Sequence, residues 1–409
     1  MNIISHNINI EKPQNISLKQ QPSLTKPTVL NIDKVENFKT NPNKKAVNMI
    51  FELLKSSLTG KEINNDIFKG ANNHDWEKFI EIANEASVTG MAYDSVHKLP
   101  KGTVPVPFIM EMADFAKETE EKHAHQEKIL GELSRRFEKM GIETVQLKGI
   151  GLSMDYPVPQ HRFGGDIDIF TRLKGTQTKE RSNSSFIIDD MFHKEGFVID
   201  DYNLPKIKHS EFMYDGVRIE NHRFFVNKNL LNEADKVDEF LHKSLNPREK
   251  ILPNGTKILV PSKEFNTVFL AQHAFQHFVF EGIDLHHITD WGMHIKENGL
   301  NFPKELKGTK LEEFTYAFTN LTNHYLGTNI KVPENKEYEE KIFNKILMAG
   351  QTEKMPEGLN TAEVLLYKAN RFMKHSKEAQ KYGGKNPIML FLKTSLIKLQ
   401  EPRTLLRRI

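Results

Sequence analysis

Apolar residues recur at helical spacing from Lys45 onward. Val47, Ile50, Phe51 and Leu54 form a stripe with the 3.6-residue period, which predicts a helix with one buried face. A second helix is expected to start at Asp75, its N-cap, and to run through Trp76, Phe79, Ile80 and Ile82. Pro105 and Pro107 interrupt the pattern, and a long helix is expected over residues 109–140, ended by Gly141. The period then changes. Residues 143–147 and 166–170 alternate as strands do, and so do His209–Tyr214 and residues 217–224 around Asp215-Gly216. Asp-Gly between two alternating runs is a strong hairpin signal.

The remaining elements follow the same reading. Residues 172–184 are polar and basic and predict a loop. Residues 186–194 predict a helix, 196–200 a strand and 233–243 a helix. Residues 251–260 predict a small hairpin through Asn254-Gly255. Ser262 is expected to cap a helix reaching Phe280, with Glu264 in its first turn, and further helices are expected over 311–328 and 338–349. The fold class expected is therefore α+β, a small mixed sheet with helices on either side in the chain. The expected divisions are a disordered lead at 1–44, an N-terminal helical region at 45–141, a core at 142–260 and a C-terminal helical region at 261–409.

Composition narrows the classes. Of the 409 residues 38% are hydrophobic, enough for real cores. There is no cysteine, which excludes a disulfide framework and any thiolate zinc site. Residues 1–44 are rich in Asn, Pro, Lys and Gln with one aromatic, Phe38, a composition too polar to offset the entropy of ordering. The N-terminus has no basic segment followed by an apolar run, and no stretch of eighteen apolar residues occurs, so a cytoplasmic chain without a membrane span is expected.

The chemistry concentrates between Leu147 and Phe170. Lys148 and Gly149 close the first strand, and Asp166-Ile167-Asp168-Ile169-Phe170 forms the next. Alternate side chains of a strand share a face. Asp166 and Asp168 therefore point one way, and Ile167 and Ile169 point into the core. Two carboxylates on one face repel each other unless a cation sits between them, and hard oxygen ligands suit Mg²⁺ or Mn²⁺. On the second arm of the Asp215-Gly216 hairpin, Glu220 shares a face with Arg218 and His222.

These residues resemble the nucleotidyltransferases of the polymerase-β-like superfamily, with a glycine turn after one strand, an Asp-x-Asp strand and a later third carboxylate. Leu147-Lys148-Gly149, Tyr156-Pro157, Arg162 four residues before Asp166-Ile167-Asp168, and the Asp75-Trp76-Glu77 helix start are similar to the bacterial family of uncharacterised nucleotidyltransferases. A more distant likeness is to abortive-infection-type nucleotidyltransferase toxins. The stretch from His273 to Trp291 resembles the same family, with Asp284-Leu285-His286 where many members carry Gly-Leu-Arg. The resemblance implies transfer of a nucleoside monophosphate from an NTP to an acceptor hydroxyl. Asp166, Asp168 and Glu220 would be catalytic and metal-binding, and Lys148, Gly149, Arg162 and His222 would bind substrate. Arg162 could instead pair with Asp166 or Asp168. The same chemistry could serve a toxin or antiphage effector acting on tRNA or protein, and a catalytically inactive nucleotide-binding module is the alternative from another class.

Two further signals are weaker. His273 and His277 share a helix face at spacing i, i+4, which could hold zinc, and His286 and His287 add a little weight to a metal, but Ala274 stands where a zincin helix carries Glu, and Phe275 and Phe278 favour packed histidines. From Lys368 to Ile409 there are eleven Lys and Arg against Glu378 and Glu401, a balance that suits RNA as a partner. Because residues 1–44 lack apolar periodicity, deleting them is expected to leave the melting temperature unchanged. A large drop in a thermal melt of the truncated chain would show that the segment packs.

Overall fold

The computed structural model describes residues 43–175, 182–202, 204–280, 282–348, 358 and 360–398. The expected lead is thus outside the described residues up to position 42, as are 399–409 of the basic tail. The chain is α+β, with thirteen α-helices and one seven-stranded mixed sheet among the described residues. Helices α1 (Lys44–Thr59), α2 (Asn73–Glu85), α3 (Thr89–Val96) and α4 (Val106–Glu138) precede the first strand. Asn72, not Asp75, is the N-cap of α2. Its Oδ1 accepts from Asp75 N at 3.1 Å while Asp75 Oδ2 accepts from Asn72 N at 2.9 Å, a reciprocal capping box that places Asp75 three residues inside the helix. Helix α4 starts earlier than expected because Pro107 falls in its first turn, where a missing N–H costs nothing.

The sheet is built from β1 (Ile142–Gln146), β2 (Asp166–Leu173), β3 (Ile199–Asp200), β4 (His209–Tyr214), β5 (Val217–His222), β6 (Arg248–Ile251) and β7 (Lys257–Val260), in the order β3-β4-β5-β2-β1-β7-β6. Short α5 (Ile150–Ser153) lies between β1 and β2, and α6 (Ser182–Lys194) leads to β3. The second hairpin begins at Arg248, three residues before the expected start, and its loop is closed by Leu252 N donating to Thr256 O at 2.8 Å. Strands β1 and β2 are antiparallel, whereas β2 and β5 are parallel, with Asp166 beside Arg218 and Asp168 beside Glu220.

One face of the sheet presents Ile167, Ile169 and Ile219 to Ile129, Leu133 and Phe137 of α4 and to Ile188 and Phe192 of α6. A buried polar cluster fixes this layer. Asp189 on α6 accepts from Ser210 Oγ at 2.7 Å, Asn221 Nδ2 at 2.9 Å and Arg223 Nη2 at 2.7 Å. One carboxylate so holds β4 and β5 against α6, and each buried donor named has an acceptor.

The other face faces the larger core. Helices α7 (Ala234–Ser244), α8 (Lys263–Phe280), α9 (Leu285–Asn298), α10 (Lys310–Leu326) and α11 (Lys336–Leu347) follow, then α12 (Thr361–Ala379) and α13 (Pro387–Lys398). Phe170 packs on Phe225 at 4.7 Å between ring centres, and Phe225 meets Phe265 of α8 edge-on. The N-terminal helices share this core: Phe51 of α1 stacks on Tyr325 of α10 at 4.1 Å, and Lys296 Nζ of α9 donates to Leu58 O. Ser262 Oγ accepts from Phe265 N at the start of α8.

The strand parity separates stability from chemistry on β2. Ile169 is fully buried, so Ile169→Asn is expected to destabilise the fold by about 1–3 kcal/mol from the unpaired amide alone, with further loss of packing. Urea unfolding measures this, and an unchanged midpoint would mean that β2 is not seated as described.

Candidate active site

Parallel pairing sets the site. Asp168 and Glu220 are direct neighbours on β2 and β5, and Asp166 lies two residues away on the same face. One oxygen from each of the three carboxylates lies within 4.8 Å of the others. Asp168 is fully buried at the floor, and Asp166 and Glu220 are half-buried above it. At the end of β1, Lys148 reaches back so that its Nζ stands 3.2 Å from Asp168 Oδ2. From β5 itself, His222 Nε2 lies 3.0 Å from Asp168 Oδ1 and 3.4 Å from Glu220 Oε2. From β4, His209 Nδ1 approaches Glu220 Oε2 at 2.6 Å.

The electrostatics follow from crowding. Asp168 beside it, and then burial, push the Asp166 carboxyl up to about 6. Burial acts against the charge on Asp168 and Glu220 as well, but the ammonium and the hydrogen-bonding histidines beside them outweigh it. Lys148 holds Asp168 below the usual carboxylate range, and the contacts with His209 and His222 hold Glu220 far below it. Burial opposes the ammonium of Lys148, yet the three acids together keep its affinity for the proton above the ordinary value. Burial pushes His209 down to about 4.

The donor set fits a divalent cation. Asp168 Oδ2 is buried and has no hydrogen-bond partner, Lys148 lying at ion-pair distance but outside hydrogen-bond geometry. Lys148 faces that oxygen with one positive charge, and three carboxylates against one ammonium leave the recess net negative, a balance that a divalent ion would complete. Three clustered carboxylate oxygens suit a hard ion.

The turn before β2 is pinned by long-range contacts. Arg162 is buried and does not reach Asp166 or Asp168. Its Nε and Nη2 donate to the two oxygens of Asp290 on α9 at 2.8 and 2.7 Å, and its Nη1 donates to Gly149 O at 3.3 Å. Tyr156 donates its hydroxyl to Asp290 Oδ1 at 2.5 Å. His161 bridges Asp94 of α3 and Glu120 of α4 at 2.6 and 2.9 Å, and Gln126 Nε2 of α4 donates to Gly164 O at 2.7 Å. Gly149 has φ +56°, and a Cβ there would lie 3.1 Å from Gln146 Nε2. Only glycine suits that turn, which returns the chain beside Asp166.

The structure thus brings together Asp166, Asp168, Glu220, Lys148 and His222, keeps Gly149 at the adjoining turn, and gives Arg162 to Asp290. A family model described as uncharacterised nucleotidyltransferase matches residues 72–327, more than half of the chain. The protein belongs to this nucleotidyltransferase family. The matched span runs from the cap of α2 to the end of α10 and includes every strand. A similar solved structure is that of an antigenic nucleotidyltransferase-like protein from Paracoccidioides brasiliensis, at 13% identity and TM-score 0.31, covering 50% of this chain and 93% of that one. No curated protein matches. No helix among the described residues is long and apolar enough to cross a membrane.

His209 is the site residue that sequence reading passed over. Its signal was available. A two-residue turn at Asp215-Gly216 pairs Tyr214 with Val217 and therefore His209 with His222.

The raised Asp166 carboxyl has a pH consequence. A carboxyl whose folded value, about 6, exceeds its ordinary 3.8 favours folding when protonated. That contribution is fully present below about pH 4 and is lost as pH rises through about 6. In metal-free protein, Asp166→Asn is expected to gain melting temperature relative to wild type as pH rises through this window. A difference between the two that stays constant with pH would contradict the crowding.

Proposed function

We propose that this nucleotidyltransferase moves a nucleoside monophosphate from an NTP to an acceptor hydroxyl and releases pyrophosphate. The observation that carries this reading is the convergence of Asp166, Asp168 and Glu220 within 4.8 Å around a buried carboxylate oxygen that has no hydrogen-bond partner. It agrees with the resemblance to polymerase-β-like enzymes, in which two aspartates on one strand and a third carboxylate on another form the metal site. Asp166, Asp168 and Glu220 would hold Mg²⁺ or Mn²⁺. When bound, the ion would supply positive charge against the triphosphate and the departing pyrophosphate.

The chain's own groups do the rest. Asp166, raised to about 6, is a better base than Glu220 and accepts the proton of the acceptor hydroxyl, whose oxygen forms the new bond to the α-phosphorus as the bond to the bridging oxygen of the leaving pyrophosphate breaks. His209 and His222 hold the Glu220 carboxylate in place through their contacts at 2.6 and 3.4 Å. Lys148 supplies a fixed positive charge beside the phosphates, and the tight turn at Gly149 lets backbone approach them. Arg162 acts on substrate through the Gly149 carbonyl that it holds. The acceptor class that the basic C-terminal segment suits is RNA.

Incubation with each labelled NTP, Mg²⁺ and either total RNA or a protein lysate tests the reading by what becomes labelled. Asp168→Asn keeps the size of the side chain and removes one negative charge. It is expected to lower label transfer by orders of magnitude and to abolish the rise in melting temperature with Mg²⁺-NTP, while the ligand-free protein stays folded and melts only modestly lower, because the ionised carboxylate paired with Lys148 and His222 favours the fold. Near wild-type transfer by this variant would place the chemistry elsewhere, and a far lower melting temperature would make Asp168 a structural residue.

A further inference from the structure

A second cluster lies outside the carboxylate site. His273 and His277 stand one turn apart on α8, and His287 stands in the first turn of α9. One ring nitrogen from each lies within 4.8 Å of the other two. The ring centres are 4.6 Å apart for His273 and His277, 5.2 Å for His273 and His287, and 4.5 Å for His277 and His287. We propose that His273, His277 and His287 form a metal site for a divalent ion of the zinc class, separate from the carboxylates.

Four observations support it. The apolar neighbours of the pair face elsewhere: Phe275 and Phe278 pack on Phe314 of α10 at 5.1 and 5.5 Å. That part of the aromatic core is completed by α10, while His273 stacks at 6.5 Å on Phe269 one turn earlier in α8. His273 and His277 are only half-buried, so an ion can reach them.

His287 carries the supporting contact typical of a histidine ligand. Its Nδ1 lies 2.8 Å from Oδ1 of Asp284, the N-cap of α9. A carboxylate oxygen only accepts, and its 2.8 Å contact is much closer than the 3.4 Å approach of Asp284 N to the same Nδ1, so Nδ1 carries the proton and Nε2 is left for an ion. A carboxylate behind an imidazole fixes the tautomer and raises the basicity of the ligand.

The protonation state is also suitable. Burial, with the charge of Lys148, keeps His273 well below its ordinary value, and burial with His287 pushes His277 down to about 3. Both imidazoles are neutral at pH 7 and bind metal without first losing a proton.

Imidazole suits zinc and its neighbours rather than magnesium. Tetrahedral bonds of about 2.0–2.1 Å need nitrogens ~3.4 Å apart, a small inward turn of the half-buried His273 and His277 rings toward the buried His287. Three protein ligands leave the fourth position open to water or a substrate oxygen.

Co²⁺ separates this site from the carboxylates, because a tetrahedral nitrogen site absorbs visible light far more strongly than an octahedral oxygen site. Chelator-stripped full-length protein is titrated with Co²⁺ and then challenged with Zn²⁺. Wild type and Asp168→Asn are both expected to develop the intense band, with Zn²⁺ erasing it. His273→Gln and His277→Gln are each expected to lose it or to need at least tenfold more Co²⁺, and Asp284→Asn to weaken binding about 10–100-fold. Circular dichroism establishes that each variant is folded. The proposal is overturned if wild type gives only weak absorption, if the band survives in folded His273→Gln and His277→Gln, or if Asp168→Asn removes it. Because Asp168→Asn should lose nucleotidyl transfer and keep the cobalt band, failure of one reading is distinguishable from failure of the other.

Discussion

Three carboxylates cannot share one recess of low polarity unless positive charge and hydrogen-bond donors surround them, and much of the chain serves that requirement. Asp168 carries the heaviest demand because it is fully buried. Lys148 meets one of its oxygens and His222 the other, each from a different neighbouring strand. His209 meets Glu220 from a third. His209, Glu220 and His222 share the Asp168 face of the sheet by register, and Lys148 reaches that face from the turn past β1. Moving β5 by one residue relative to β2 would exchange Glu220 and His222 for Ile219 and Asn221.

Register is in turn held by groups far from the recess. On the opposite face Asp189 gathers Ser210, Asn221 and Arg223, so β4 and β5 cannot slide without leaving buried polar atoms unpaired. The segment entering β2 is fastened at three points, by His161 to α3 and α4, by Gln126 to Gly164, and by Arg162 to Asp290. Burial works against protonation of His161, but its two acid partners outweigh it and raise its value above the ordinary one. Asp166 therefore enters the strand from a braced turn, which suits a site where small displacements matter.

Local patterns were legible in the sequence, and long-range partners were not. The shared face of Asp166 and Asp168 needs only strand parity, and the hairpin around Asp215-Gly216 needs only turn chemistry. Counting outward from that turn would also have paired His209 with His222. The parallel neighbourhood of Asp168 and Glu220 has no such local sign, because a helix and two strands intervene in the chain. Sequence alone offered Arg162 the nearby aspartates, whereas folding gives it Asp290 across the molecule. Asp75 was mistaken for a cap because Asn72 and Asp75 both favour helix starts, and only their reciprocal bonds decide which is outermost. The sequence offers both His286 and His287 as further partners of His273 and His277, and the packing of α9 against α8 selects His287.

The pairing of Arg162 with Asp290 bears on how such a protein can be inherited. The guanidinium belongs to the turn that feeds the sheet, and its counter-ion belongs to a helix that follows the last strand. Cut between them, the strand segment would keep its acidic residues and lose the anchor for the Gly149 carbonyl, with a buried cation left uncompensated. The sheet is therefore not a portable cassette. Recombination that kept the strands and exchanged the later helices would have to bring a matching carboxylate with it, so the smallest unit that evolution can move intact includes α9 as well as the strands.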